Sequence, residues 1–170
     1  IIDSSTAPAA ALTPNAAIKK ICTLTNNNPD SSMIYFIFTS TGAGQVSYCA
    51  WHTWGNCSNG ARVLASYIPN LDGVGGCNPQ DSSTGHSAGL AAIANVTAHE
   101  LLETITDPRG MGWYDSAGSE NGDKCAWTFS PVLSTFSNGS QWKLQTEWSN
   151  TAYSSSSGLP NRSGQLACIY

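Results

Sequence analysis

The sequence predicts an α+β fold, and two kinds of pattern along the chain support that class. Short runs of β-branched and aromatic residues in the first half are typical of strands. One long segment with apolar residues at helical spacing, which ends at a proline, indicates a central helix. A small sheet combined with one such helix belongs to the α+β class.

The length of 170 residues corresponds to one domain over residues 1–170. Residues 1–15 mix small side chains with Pro8 and Pro14, which predicts an extended N-terminal arm. No signal peptide stands at Ile1, so we expect a mature form whose leader has been removed.

Three strands are predicted in the first half of the chain. Residues 33–39 form a continuous β-branched and aromatic run, which is typical of a buried strand. Residues 46–51 alternate after a glycine-rich turn, and this predicts a hairpin with the first strand. A third strand fits residues 62–68, where Pro69 stops it.

The central helix is predicted over residues 88–106, with Pro108 ending it. Aromatic residues set among turn residues after it predict short strands and irregular structure up to Cys168. The apolar residues at helical spacing in the helix are Leu90, Ile93, Ala94, Ala98, Leu101, Leu102 and Ile105.

The cysteine content predicts a disulfide-bonded, secreted, extracellular protein. Six cysteines in a chain with 11% charged residues favour three disulfides, whose connectivity stays open among 15 pairings. The chain has no zinc-finger cysteine spacing. Four glycosylation sequons agree with secretion and indicate a glycoprotein; they begin at Asn56, Asn95, Asn138 and Asn161.

The charge and hydropathy patterns exclude two classes of partner. The net charge is −4 and the seven basic residues are scattered, so we expect no nucleic-acid partner. No apolar run reaches the ~18 residues that a membrane span needs, so we expect no membrane partner. We expect a monomer that takes a protein or peptide as its substrate.

The motif His99-Glu100-Leu101-Leu102-Glu103 lies in the second half of the predicted helix. Residues four apart lie on the same side of a helix, so His99 and Glu103 can bind one cation. Glu100 lies about 100° around the helix from His99, where it can accept a proton from an attacking water. This division of roles resembles HExxH zinc hydrolases, with Glu103 replacing the second histidine.

Acidic residues are concentrated around this motif. Six of the eleven acids lie in residues 100–123, with Arg109 the sole cation among them, and such crowding favours a bound metal ion. We choose Glu120 first and Asp123 second as the third ligand, while Asp107 and His52 remain open. Asp107 is expected mainly to cap a turn. His52 and His86 are expected to be structural, because neither has a partner at ligand spacing.

The first functional hypothesis is a secreted zinc-dependent metallopeptidase. Zn²⁺ is held by His99, Glu103 and Glu120 or Asp123, and Glu100 is the catalytic base. Two carboxylate ligands would make the zinc a weaker Lewis acid than a two-histidine site does.

The alternative hypothesis is a non-catalytic cell-wall or polysaccharide-binding protein with a structural Ca²⁺ or Zn²⁺ site. Oxygen-rich ligands suit Ca²⁺, so a metal contact to the His99 imidazole is what discriminates the two hypotheses. The aromatic residues that could contact polysaccharide are Trp51, Trp54, Trp113 and Tyr114.

From about residue 33 to its end, the sequence resembles the phosphate-induced protein/EXORDIUM-like family of secreted proteins, particularly its microbial members with an intact HExxE. The resemblance implies a zincin-like domain and a metal site for those microbial members. The plant branch typically lacks the histidine and glutamate pair and is described as an apoplastic growth regulator. The matching positions are Cys49-Ala50-Trp51-His52, Thr106-Asp107-Pro108, Gly112-Trp113-Tyr114, Glu120, Asp123, Cys125, Trp148-Ser149-Asn150 and Cys168.

Overall fold

The computed structural model describes residues 11–40 and 47–170 of the chain. It has mixed helices and small sheets with three disulfides, which confirms the predicted α+β class. The helices are α1 (Pro14–Leu24), α2 (Ala88–Thr106), α3 (Asn121–Lys124) and α4 (Asn150–Ser154), with a 3₁₀ turn at Gly75–Cys77. The strands are β1 (Ile34–Phe38), β2 (Trp51–Asn56), β3 (Arg62–Ile68), β4 (Ser134–Thr135), β5 (Gln141–Trp142), β6 (Glu147–Trp148), β7 (Leu159–Pro160) and β8 (Leu166–Ile169).

Helix α1 replaces the last part of the predicted extended arm. Thr13 caps it by accepting a hydrogen bond from the Ala16 backbone at 3.3 Å. Pro14 occupies the start of the helix, where a missing N–H costs nothing because that group has no helical acceptor. The predicted arm is therefore wrong from Pro14 onward, and residues 1–10 lie outside the described residues.

The largest sheet has the strand order β1-β3-β2. Strand β3 pairs in parallel with β1 and antiparallel with β2. The predicted hairpin is wrong, because β2 begins at Trp51 and lies on the far side of β3 from β1. The reason is that Cys49 and Ala50 pack into the core beneath α2 and Cys49 is bonded to Cys77, so the strand starts only after them. The predicted glycine-rich turn and Val46 lie outside the described residues.

Strand β3 separates two apolar clusters on opposite faces of this sheet. Val63 and Ala65 pack with Ile18 of α1 on one face. Ile68 packs with Val96 of α2 on the other face. This alternation follows the two-residue period of a strand and positions α2 against the sheet.

Helix α2 is confirmed over the predicted range, but its apolar spacing does not mark the buried side. Leu101 is 37% exposed and Ile105 is 58% exposed. The buried side is instead partly polar and acidic, because these groups meet partners on the sheet and on α3. The buried residues of α2 are Gly89, Ala91, Ala92, Asn95, Val96, Glu100, Glu103 and Thr104.

The three predicted disulfides join Cys22 to Cys57, Cys49 to Cys77 and Cys125 to Cys168. The last one connects the residue that ends α3 to strand β8. Strand β8 also pairs with β6, so this bond helps to hold α3 beside β6.

The C-terminal half contains short strands and irregular segments, as predicted. Strands β4 and β5 form one pair, and β6, β8 and β7 form a second small sheet. Over the described ranges, no helix is long and apolar enough to cross a membrane.

Candidate metal centre

Two histidines and several acids from β2, α2 and α3 meet beside the largest sheet. His52 of β2 is paired with Ser66 of β3, whose hydroxyl lies 3.2 Å from that of Thr104 in α2. Directly paired residues of adjacent strands project to the same face, so His52 faces α2. The HExxE motif is on the buried side of that helix, opposite His52.

The first group of possible ligands is His99, Glu103 and Asp123. His99 Nε2 lies 3.1 Å from Glu103 Oε1, one helical turn away, and 3.8 Å from Asp123 Oδ1. The Asp123 backbone N–H donates to the same Glu103 oxygen at 3.0 Å, which fixes α3 against α2. One imidazole nitrogen and two carboxylate oxygens thus converge in a set that could hold a metal ion.

The second group is His52, Glu103 and Glu120. His52 Nε2 lies 3.5 Å from Glu120 Oε1, and His52 Nδ1 lies 3.7 Å from Glu103 Oε2. The nearer neighbour of Nδ1 is Glu100 Oε2, at 3.2 Å. This group could also hold a metal ion, and it shares Glu103 with the first.

The structure thus divides the predicted third ligands between the two groups. Asp123 joins His99 and Glu103, whereas Glu120, the first choice, lies with His52 and Glu103. Asp107 Oδ1 accepts hydrogen bonds from the backbone of Met111 and Gly112, as expected for a turn cap.

The two histidines that were expected to be structural differ in their placement. His86 stacks on Trp142 with ring centroids 3.7 Å apart, away from both groups. His52 instead lies among the candidate ligands, contrary to expectation. The signal was available in the alternation of β2, since a strand that runs on to Asn56 places His52 on the face opposite Trp51 and Thr53.

Gln145 and Gly122 contribute to the site without a sequence motif that identifies them. Gln145 Nε2 lies 2.7 Å from His99 Nδ1 and donates to the Gly122 carbonyl at 3.1 Å, which holds the imidazole ring in place. The Gln145 backbone N–H donates in turn to Asn95 Oδ1 at 2.8 Å. Gly122 has no side chain to separate α3 from His99 and Glu103, so this close approach depends on its being glycine.

Glu147 lies on β6 outside the acidic segment that the sequence singled out. Both of its carboxylate oxygens are shielded from solvent and have no hydrogen-bond partner among the described residues. Burial raises the pKa of Glu147 to about 8, and its charge interacts with those of His99 and Glu103. No spacing or motif in the sequence marks this residue.

The pKa values of the site reflect crowded carboxylates in a poorly solvated space. Burial raises the pKa of Glu120 to about 7, and burial also raises the pKa values of Glu100 and Asp123. Burial alone would lower the pKa of His99, but the hydrogen bond to Glu103 raises it to about 9. Without a cation, Glu120 and His99 hold their protons to higher pH than usual, and a divalent metal ion would displace those protons.

The nearby Lys124 does not neutralise this charge. Its ammonium group lies 2.8 Å from Asp115 Oδ2 and 4.1 Å from the centre of the Trp148 ring. Lys124 is therefore engaged at the side of α3, and its charge is directed to Asp115 rather than to the carboxylates of the two groups.

A cavity of about 200 Å³ opens beside the first group. His99, Glu100 and Asp123 line the same cavity, so a molecule in it could contact a candidate base and two candidate ligands together. A larger cavity of about 420 Å³ lies between α1 and β2, away from these residues. The remaining lining of the smaller cavity consists of Cys49, Ala50, Asn95, Val96, Ala126, Trp127 and Gln145.

Comparison with known proteins found no family model that matches this chain, and no curated protein or solved structure with significant similarity to it. The function is therefore inferred from the geometry and chemistry of the site itself. That geometry comprises two overlapping sets of side chains that could hold a metal ion, one of them beside a small cavity.

Proposed function

We propose that the chain is a secreted zinc-dependent peptidase of zincin-like type, with His99, Glu103 and Asp123 as zinc ligands. The observation that carries this proposal is the convergence of these three side chains beside a cavity that His99, Asp123 and Glu100 line. Three protein ligands of mixed nitrogen and oxygen type, with room for a further molecule, are typical of catalytic zinc. Asp123 takes the place of Glu120 because its carboxylate is the one beside His99 Nε2.

Bound zinc supplies Lewis-acid polarisation of the peptide carbonyl and makes water more acidic. Glu100 is suited to accept a proton from the attacking water, because burial raises its pKa towards the working pH. It would then donate that proton to the leaving amine. Gln145 keeps the His99 ring oriented. Glu103 and Asp123 donate more negative charge to zinc than a second histidine would, so we expect slow turnover.

The extracellular location is part of the same proposal. Three disulfides are typical of proteins that fold in an oxidising compartment. Membership of the phosphate-induced protein/EXORDIUM-like family is also proposed, and three positions of that resemblance lie at the candidate centre: His52, Glu120 and Asp123.

Replacing Glu100 by glutamine tests the peptidase proposal. The native chain should contain zinc by elemental analysis, and it should hydrolyse casein, lose this activity on chelation and regain it when zinc returns. Glu100→Gln should keep the zinc and lose at least about 100-fold in turnover, because the amide cannot accept the proton. Asp30→Asn, which removes an acid far along the chain from the motif, is the matched control and should behave as the native chain does.

Two outcomes would contradict the proposal. Casein hydrolysis that survives in Glu100→Gln would show that another group is the base. Calcium in an inert native chain would favour the polysaccharide-binding alternative, for which the exposed Trp54 and Tyr114 side chains provide contact surface.

A further inference from the structure

We propose that the centre binds two divalent transition-metal ions, bridged by the carboxylate of Glu103. The first ion is the one already proposed, with His99 and Asp123 as its other ligands. The second is held by His52 and Glu120. This inference rests on the proposed metal site and adds to it a second ion with a second histidine.

The two oxygens of Glu103 face different imidazoles. Oε1 lies 3.1 Å from His99 Nε2, and Oε2 lies beside the His52 ring, 3.7 Å from its Nδ1. One ligand atom each of His52, Glu103 and Glu120 lies within 4.8 Å of the others. Glu103 is 4% exposed, so its carboxylate is confined between the two groups and cannot turn away into solvent. A carboxylate held in this way can bridge two metal ions at the spacing of about 3.5–4 Å that two-metal sites use.

His52 has the neighbours of an oriented metal ligand. The Glu100 carboxylate lies 3.2 Å from Nδ1, where it can accept the Nδ1 proton. A carboxylate on one ring nitrogen fixes the tautomer that leaves the other nitrogen free for metal. That other nitrogen, Nε2, faces Glu120 Oε1 at 3.5 Å. The contact with Nδ1 involves Glu100 Oε2, so the proton transfer proposed above would use the other oxygen of Glu100, a residue that lines the cavity.

Unpartnered buried oxygens supply an independent observation. Glu120 Oε1 is shielded from solvent and accepts no hydrogen bond from any described residue, although it lies beside His52. Both oxygens of Glu147 are likewise shielded from solvent and without a hydrogen-bond partner among the described residues, and the Glu147 charge interacts with that of His99. A buried carboxylate without a donor is costly, and a cation would offset that cost.

The charge of the centre also favours two ions over one. Its two imidazoles are neutral when they bind metal; with all five carboxylates deprotonated, one divalent ion would leave three of their five negative charges uncompensated. Two divalent ions would leave a single negative charge. The five carboxylates are those of Glu100, Glu103, Glu120, Asp123 and Glu147.

Cobalt titration of the chelator-stripped native chain tests the second ion. We expect about two Co²⁺ per chain after desalting, by elemental analysis. His52→Ala and Glu120→Gln should each reduce this to about one, because each removes a ligand of the second ion only. His86→Ala removes a histidine outside the centre and should keep about two. Far-ultraviolet circular dichroism verifies that each variant is folded. If His52→Ala does not fold, Glu120→Gln alone tests the second ion.

The outcomes separate this inference from the proposed function. About one Co²⁺ in the native chain, unchanged in His52→Ala and Glu120→Gln, would overturn the two-ion centre and leave the single-zinc peptidase intact. Absence of bound Co²⁺ and zinc from the native chain would overturn both. About two in the native chain and about one in each second-ion variant supports the bridged centre.

Discussion

Gly122 is the residue at which α3 contacts the side chains of the first metal group. A Cβ added there would lie 2.8 Å from His99 Nδ1 and 2.9 Å from Glu103 Oε1. Side-chain carbons do not tolerate such distances, so either α3 or the two ligands would have to move. The close approach of α3 to these two candidate ligands therefore depends on the absence of a side chain at this position.

Gly122→Ala should weaken zinc binding by roughly tenfold or more, because it displaces two ligands from their common position. It should also lower the free energy of unfolding of the metal-free chain by about 1–3 kcal/mol through overpacking. Zinc titration and thermal unfolding measure the two effects. Gly76→Ala is the control, since a Cβ there meets no atom within 4 Å. Native zinc affinity in Gly122→Ala would show that the close contact has no role in the site.

The residues of the site differ in how far the sequence could predict them. His99, Glu100 and Glu103 are found readily, because helical spacing alone fixes their relative positions. His52 depends on the order of strands in the sheet, which brings together residues 48 positions apart. Gln145 likewise reaches His99 across 46 positions, and local pattern carries no information about such contacts.

At the scale of elements, α2 shows what hydrophobic periodicity can and cannot predict. The pattern identifies the helix and its end, since both depend on local sequence. It does not identify the buried side, because Glu100 and Glu103 are stabilised there by partners from β2 and α3. Hydrophobic periodicity assigns polar side chains to the solvent-facing side of a helix. That assignment is wrong on α2, where acidic side chains of the site are buried.

The short helix α3 depends on its surroundings for its position. It has only four residues, too few to be stable alone, and it carries Asp123 while Glu120 precedes it. The disulfide between Cys125 and Cys168 anchors its end to β8. This element thus places two candidate ligands through a covalent bond rather than through a long helix.

Replacing Cys125 and Cys168 together by serine should destabilise the chain by about 2–4 kcal/mol, since the bond closes a long loop. It should also weaken zinc binding, because α3 loses its anchor. The matched control is the serine pair at Cys22 and Cys57, which lies in the α1 cluster on the opposite face of the sheet from α2. Chemical denaturation and zinc titration are the measurements. Equal zinc affinity in the two double variants would contradict this role for α3.

At the scale of the whole molecule, the buried acids couple protonation to stability, and the proposed metal binding would be coupled to stability through the same groups. The folded chain holds protons on Glu147 and Glu120 at pH values where the unfolded chain has released them. Metal ions compete with those protons. As pH rises, the stability of the metal-free chain should therefore fall, while the stabilisation that bound metal adds should grow.

The metal-free chain should lose stability as pH rises from about 5 to about 9. The pKa of Glu147 is about 8 when folded against an ordinary 4.5, so the folded state binds more protons between these values and the free energy of unfolding falls there. His99 acts in the same direction. Its contribution to the free energy of unfolding is complete below its ordinary pKa of 6.5 and is lost as pH rises through its raised pKa of about 9. Thermal unfolding in excess chelator measures the trend.

Glu147→Gln should make this dependence shallower, because the amide does not titrate, and the part due to His99 should remain. With zinc in place of the chelator, the stabilisation by metal should grow over the same interval, since the ligands must be deprotonated to bind it. If the thermal unfolding midpoint of the metal-free native chain instead rises from about pH 5 to about pH 9, the raised pKa of Glu147 is contradicted.

The arrangement around Asn95 has a consequence for biosynthesis. Asn95 begins a sequon, yet it is 1% exposed and its side-chain oxygen accepts the Gln145 backbone hydrogen bond. An oligosaccharide attached there before folding could not be accommodated in the native packing. In a cell that glycosylates nascent chains, folding of α2 onto Gln145 would therefore compete in time with the transferase, and modified chains would be withheld from the native state.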